Sequence, residues 1–441
     1  MNAPRTGFGE QNWLRTFLFT LFGTSVLVVS YFPLFYSHLG FSSSQVGYLY
    51  SIGPLISILS NLFWSMISDR LQTIKKIMII LLAGQLVTAI LLAQAQDFGT
   101  VMLILSCFYF FYYPVFPLGD TMAIQTAQRY GRNFTSIRVF GSLGYAFFAL
   151  TVGYILKAAG ASWSMAVCMV IVTIALFVAF MLREPAGSGQ PDNLDAVSPD
   201  AASADAATLE SALPGTKKSG LRDIFLQREI LTFFGCVFLL ALGHRMNEAF
   251  LTVSMHELGA GEELIGWALL ASALSEIPVF FLLSKYGDRY KELPLLAIAS
   301  LMYAIRFLLM SLAGSALAMI FIQGMHSISF GIFYVTAVRY LTRMIPDRLR
   351  ATGLAVFTVV WSSVSGLLSG AFGGILFQHS GRFLFYIVAM LFCCFACAGF
   401  LGKHLFGSPG PAPVRRKNGL KPAASIPSRP PQPEQPEPET I

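Results

Sequence analysis

Eight polar side chains fall inside long apolar runs in the second half of this 441-residue chain. They are His244, Arg245, Asn247 and Glu248 in one run, Glu276 in the next, Arg306 in a third, and Gln323 and His326 in a fourth. An ionised group at the centre of a bilayer costs about 2.5–3.5 kcal/mol on insertion scales, so each one demands a partner or a task. The fixed signs balance, Arg245 and Arg306 against Glu248 and Glu276, and His326 adds a neutral group able to take a proton. Arg245 and Glu248 stand three residues apart and His244 and Glu248 four, so either pair can close locally on one helix. Reversible proton binding is the chemistry this set suits. Loss of water favours the neutral form of a carboxyl group, and a nearby guanidinium favours the anion. A conformational change that parts such a pair therefore couples proton uptake to movement.

The first half is quieter. Asp120 and Arg138 can face each other near one end of their runs as a structural pair, an inner gate or a solute contact. Tyr31, the Tyr109-Phe-Phe-Tyr-Tyr113 stretch and Trp361 offer ring faces for a sugar, a base or an aromatic acid. In a chain with 14% aromatic residues, most such rings serve packing and lipid contact. Together with Arg245, Asn247 and Gln323, the residues Asp120, Arg138, Tyr31 and Trp361 form the candidate solute contacts. Cys394-x-x-Cys397 matches a redox or zinc spacing, but it lies within an apolar run with no second pair and no histidine beside it. Packing accounts for it, and no metal is expected.

Helices must position these groups. The chain is 55% hydrophobic and only 12% charged, with a mean hydropathy of +0.64. A water-soluble protein needs a charged surface that this composition does not supply, whereas helices facing lipid need none. Roughly 20 apolar residues cross a hydrocarbon core of about 30 Å. Twelve runs qualify: 12–37, 45–68, 75–95, 98–126, 134–157, 162–182, 230–255, 263–286, 293–312, 315–340, 351–377 and 383–406. The first is too long for a signal-peptide core and lacks an A-x-A cleavage site, so it reads as an uncleaved helix. The net charge of +7 raises the possibility of a nucleic-acid partner, but its placement excludes that reading. With an inner N-terminus, Arg70, Lys75, Lys76, Arg129, Arg132, Arg138, Lys285, Arg289, Lys291, Arg339, Arg343, Arg348 and Arg350 all fall at inner ends. Outer turns hold only Lys157 and Arg382 beside Asp97, Glu257, Glu262 and Glu263. This is the positive-inside pattern, and it places both termini in the cytoplasm.

The runs group into a six-helix bundle over 1–182 and a second over 230–406. A Pro-, Gly-, Ser- and Ala-rich linker at 183–229 and a Pro-rich tail at 407–441 read as disordered. The halves repeat. Gly47 precedes Asp69-Arg70 by 22 residues and Gly266 precedes Asp288-Arg289 by the same 22, with Ser65 and Ser284 four residues before each Asp. Arg138-x-x-Gly141 and Arg350-x-x-Gly353 form a second echo. Parallel six-helix repeats are the architecture of major facilitator transporters. Pro33, Pro54, Pro114, Pro117 and Pro278 interrupt helical runs and permit bends. Gly366, Gly370 and Gly374 allow close approach of a neighbouring helix.

Ser65-x-x-x-Asp69-Arg70 with Lys75-Lys76 resembles the signature loop of the major facilitator superfamily, with Ser65 where the family usually has Gly. Pro33-Leu-Phe-Tyr-x-x-x-Gly40, Pro117-Leu-Gly-Asp120, Tyr130-Gly-Arg-x-x-x-x-Ile-Arg138-Val-Phe-Gly-Ser-Leu-Gly144 and Ser329-Phe-Gly-x-x-Tyr-x-x-Ala-Val-Arg339-Tyr-Leu complete the likeness. The set resembles the phenylpropionate-permease-like branch, related to lactose permease and the nucleoside symporters. The resemblance implies an all-α membrane protein of twelve helices in a bacterial inner membrane. It implies proton-coupled uptake of a small solute by a monomer that uses the proton gradient and no cofactor. It also implies a gating role for Asp69, Arg70, Asp288 and Arg289, and proton coupling through Glu276, Arg306, His326 and Glu248. Ser329 stands where the lactose-permease relatives carry an acidic residue, so the carrier falls to Glu276 or Glu248, with His326. Proton-antiport efflux is the rival on the same fold. A polytopic enzyme or sensor fits less well, since the polar groups meet at mid-bilayer, no phosphate-binding glycine loop is present and no output domain is evident.

Overall fold

The computed structural model describes residues 8–130, 134–184, 227–286, 290–345 and 349–406. Among these, every regular element is helical. The helices are α1 (Gly9–His38), α2 (Ser43–Leu71), α3 (Ile74–Leu92), α4 (Phe98–Arg129), α5 (Thr135–Ala159) and α6 (Ala161–Met181). After the linker come α7 (Arg228–Glu257), α8 (Glu262–Tyr286), α9 (Glu292–Leu312), α10 (Ala316–Met344), α11 (350–380) and α12 (382–406). Ten stretches are long and apolar enough to cross a membrane, and the last of them, Thr352–Phe406, contains both α11 and α12. Gly381 separates those two with φ 66° and ψ −179°, a conformation that only glycine adopts at little cost. The expected count of twelve crossings therefore rests on that break and on α8, which carries Glu262, Glu263 and Glu276 and is not among the ten. The described helices fall within one compact unit, while most of the linker (185–226) and the tail (407–441) lie outside the described residues.

Helix is the form these runs must take, because lipid offers no partner to a free backbone group and a helix closes its bonds internally. The ends are closed by side chains. Ser42 and Gln45 form a reciprocal capping box at the start of α2, and Thr73, Asp97 and Ser315 cap α3, α4 and α10. The Thr100 hydroxyl and backbone N–H hold the exposed Asp97 carboxyl below its ordinary range. Glu184, just past α6, accepts from the Thr73 hydroxyl at 2.8 Å and from the first N–H groups of α3 at 2.6 and 3.1 Å. It places an anion at the positive end of α3 and ties α6 to it. At the opposite face, Arg382 donates to the last carbonyls of α9, Met310 at 2.6 Å and Ala313 at 2.7 Å.

Three helices contain a widened π turn: Leu27–Tyr31 in α1, Ser327–Gly331 in α10 and Val359–Val364 in α11. Such turns free backbone groups and recur at functional sites. Of the prolines, Pro33 follows the first π turn, Pro114 breaks α4 after Tyr112, and Pro54 and Pro278 lie inside α2 and α8.

Within the first half α1 packs on α5 and α6 and α3 packs on α4 and α6. In the second half α7 and α9 pack on the α11–α12 hairpin. Among the described residues the halves meet where α2 packs against α11, α5 against α8 and α1 against α7. The first two include close backbone contacts. A Cβ built on Gly47 would stand 2.2 Å from the Gly370 carbonyl oxygen, and one on Gly266 would stand 2.6 Å from that of Ala149. The glycines of α11 thus approach α2, the neighbour left unnamed by the spacing alone. Lys157 pairs with Glu263 at 2.8 Å, Ser44 donates to Gln378 at 3.1 Å, and Trp267 donates to Tyr154 at 3.3 Å. All of these lie toward the end where α1 leaves and α2 enters, which the charge pattern assigns to the outside.

Candidate solute and proton site

The polar residues of the second half form two connected clusters. The first is built on α8, α9 and α10. Arg306 is 1% exposed, and its guanidinium bonds Gln323 Oε1, the His326 Nδ1 atom at 3.0 Å and Ser329 Oγ at 3.5 Å. His326 Nε2 lies 3.2 Å from Glu276 Oε1, and Ser272 donates to Gln323 Oε1 at 3.0 Å. The tautomer follows from the partners. A guanidinium has only donors, so Nδ1 is the acceptor and the ring proton sits on Nε2, facing Glu276. An imidazolium would have to turn a second N–H toward Arg306.

The second cluster is built on α7 and α11. Arg245 bonds Glu248 one turn along, the Trp361 carbonyl at 3.2 Å and Ser362 Oγ at 2.7 Å, both of the latter acceptors belonging to the α11 π turn. The local pairing open to Glu248 is thus taken by Arg245. His244 instead shares a 3.0 Å hydrogen bond with Tyr303 and packs against the rings of Phe330 and Trp361, at 5.2 and 5.1 Å. Trp361 is 2% exposed, with Phe333 and Phe357 stacked on it, so its ring is part of this aromatic packing. Asn247 is buried and accepts from Tyr386 of α12 at 3.3 Å.

From the first half, Tyr50 of α2 donates to Glu248 Oε2 at 3.2 Å. Tyr113 lies within electrostatic range of Arg245 and Glu248, and Tyr145 within range of Glu248 and Glu276. Glu248 and Glu276 each keep 28% of their side chain accessible, more than any other charged member of the clusters. The tyrosine hydroxyls of one half thus face the carboxylates of the other.

Tyr31 is fully buried within the α5–α8 seam, where its hydroxyl donates to the Ala149 carbonyl at 2.9 Å and reaches that of Glu262 at 3.4 Å. Asp120 and Arg138 meet within the first half at 3.0 Å, with the guanidinium 4.3 Å over the Phe22 ring. Of the gating candidates, Arg70 is exposed, while the Asp69 side chain and all of Asp288 and Arg289 lie outside the described residues. The inner ion pairs Glu10–Arg129, Glu292–Arg339 and Glu292–Arg343 each stay within one half. No group of three or more metal-ligating side chains occurs among the described residues, and all six cysteines are free. Tyr50, Tyr145, Ser362, Ser272 and Tyr303 were not legible as site residues, and Tyr113 was read only as one ring of an aromatic stretch. Ser329 was noticed only as a missing acid.

A polar core shared between two helical bundles and closed at one end defines a membrane transporter. The family model described as the MFS_1 like family matches residues 12–388, and the chain belongs to that family, within the major facilitator superfamily. It is 24% identical over 396 residues to the uncharacterized transporter YwbF of Bacillus subtilis, covering 87% of this chain and 90% of that one. It is 22% identical over 340 residues to the maltose permease of Geobacillus stearothermophilus, covering 77% and 80%. The crystal structure of the nucleoside transporter NupG superposes with a TM-score of 0.78 at 14% identity, covering 90% of this chain and all of that one. The chain is thus a multi-pass membrane transporter and not an enzyme.

Proposed function

We propose that this protein is a proton symporter that imports a small, neutral, hydroxyl-bearing solute by alternating access. It acts as a monomer in the inner membrane with both termini in the cytoplasm. The observation that carries the reading is the chain Arg306–His326–Glu276, in which a buried cation fixes a histidine tautomer that presents its N–H to an accessible carboxylate. Glu276 takes the proton, and His326 and Arg306 respond to its charge. A neutral solute follows from the partners already in place. Arg245 is matched by Glu248, and Arg306 by neutral acceptors with Glu276 beyond them, while tyrosine hydroxyls and carboxylate oxygens face the space between the halves. Hydroxyl groups of a solute complement such a lining, each finding a donor or an acceptor. The relatives that move maltose and nucleosides handle solutes of this kind.

The test is uptake by proteoliposomes of labelled maltose, uridine and, as the anionic alternative, 3-phenylpropionate, under an imposed proton gradient. Accumulation of a neutral solute driven by inward protons is expected. Glu276→Gln should keep solute exchange and lose accumulation. Unaltered proton-driven accumulation in that variant would remove Glu276 from the mechanism, and expulsion against inward protons would replace symport by antiport. Preference for 3-phenylpropionate would overturn the assignment of a neutral solute.

A further inference from the structure

The bond between Tyr50 and Glu248 joins the halves inside the outer seam, not on its rim. Tyr50 stands on α2 three residues inward of Gly47, the glycine pressed against Gly370 of α11. Glu248 is held on α7 by Arg245, whose remaining bonds reach Trp361 and Ser362 of α11. A continuous path of hydrogen bonds therefore runs from α2 through α7 to α11, just inside the backbone contact that closes the outer end. Of these bonds, the 3.2 Å one from the Tyr50 hydroxyl is the one that crosses between the halves. Chemically this is an alcohol-type donor on a carboxylate oxygen, the same bond that a sugar or nucleoside hydroxyl would make to Glu248. The carboxylate is also partly accessible, so another donor can reach it.

Building on the solute site read above, we propose that Tyr50 is the protein's own occupant of the solute position on Glu248. When the outer end is closed, its hydroxyl holds the carboxylate oxygen and helps keep the halves together. A solute hydroxyl that takes the same oxygen releases α2 from α7. When the outer end opens, Tyr50 moves off with its half and Glu248 is free to accept a solute hydroxyl. Closure brings Tyr50 back and dislodges the solute toward the other side. Tyr50 is thus a positioning residue that loosens the site in one conformation and leaves it intact in the other.

The test needs a reporter of outer closure that works without solute. Ala149 is fully buried in the α5–α8 seam, and a cysteine there, in a background with the six native cysteines replaced by alanine, reacts with N-ethylmaleimide only when the seam opens. With Tyr50 intact, labelling should be slow and should speed up on adding saturating uridine or maltose. Tyr50→Phe should raise the solute-free rate several-fold and leave no further response to solute. As a control, Tyr154→Phe removes a hydroxyl partner of Trp267 on the seam rim and should leave the solute response in place. Equal solute-free rates with and without the Tyr50→Phe change would overturn the proposal. So would a higher KM for uridine or maltose counterflow in Tyr50→Phe, because an internal competitor must lower KM when removed. Glu248→Gln separates the two levels: unchanged transport there defeats the reading of Glu248 as a solute contact, whatever Tyr50→Phe does.

Discussion

A buried charge in this protein can be held by several weaker partners in place of one opposite ion. Arg306 illustrates this: its three acceptors are an amide oxygen, an imidazole nitrogen and a hydroxyl, and the balancing carboxylate stands one residue further out. Such an arrangement lets the carboxylate gain or lose a proton without stranding the cation. Gln323→Leu tests the support. It leaves one arm of the guanidinium and the Ser272 hydroxyl without their acceptor, and hydrogen bonds to charged groups contribute about 1.5–3 kcal/mol. A lower midpoint of thermal unfolding in detergent is expected, together with weakened proton coupling in vesicles. An unchanged midpoint would mean that Arg306 finds another acceptor. At this scale the sequence was informative about which groups matter, because a charge inside an apolar run stands out. Their partners were less visible. A serine or glutamine carries no such signal, and a tyrosine in a chain with 16 of them and 39 phenylalanines cannot be told from packing. Tyr50 and Tyr145 were missed for that reason. Spacing narrowed the local partner of Glu248 to Arg245 or His244, because all three stand on one helix, and the structure shows it to be Arg245.

At the scale of the helices, length and position were legible from apolar runs, and observed ends depart from the expected ones by a few residues. What a run of apolar residues cannot give is which face a helix turns inward, since lipid and core are equally apolar. The π turns were also hidden, because one extra residue in a turn leaves composition unchanged. Two changes test the elements directly. Glu184→Ala removes the acceptor at the start of α3 and should lower stability by about 1 kcal/mol, as loss of a cap does, read as a shift in thermal unfolding. Gly47→Val places a side chain where the Gly370 carbonyl stands. The α2–α11 seam then cannot close, and disulfide trapping across the outer end between cysteines introduced at Ser44 and Gln378 should fail. Efficient trapping in that variant would show that the helices can slide past each other.

At the scale of the whole molecule, the seams set how the halves can move. If they rock as bodies, spin labels at Gln94 and Gly314, on outer turns of opposite halves, should move apart when solute and protons are supplied. Labels at Gln94 and Ser162, within one half, should keep their separation. A change in the second distance would replace rocking by deformation of a bundle. The broad family was readable beforehand, since it rests on motifs spread over the full helical length. The conformation captured here was not, because a single sequence encodes every state it visits. The glycine–carbonyl contacts within the seams have a further consequence. A barrier made from side chains can be breached when one of them swings aside, and water or ions then slip through. Carbonyl pressed against glycine offers nothing that swings. If the bundles rock as bodies, such a wall parts when an entire bundle tilts, and each opening then costs a full stroke. Under that motion, little of a membrane's stored voltage would escape along the glycine contacts between strokes.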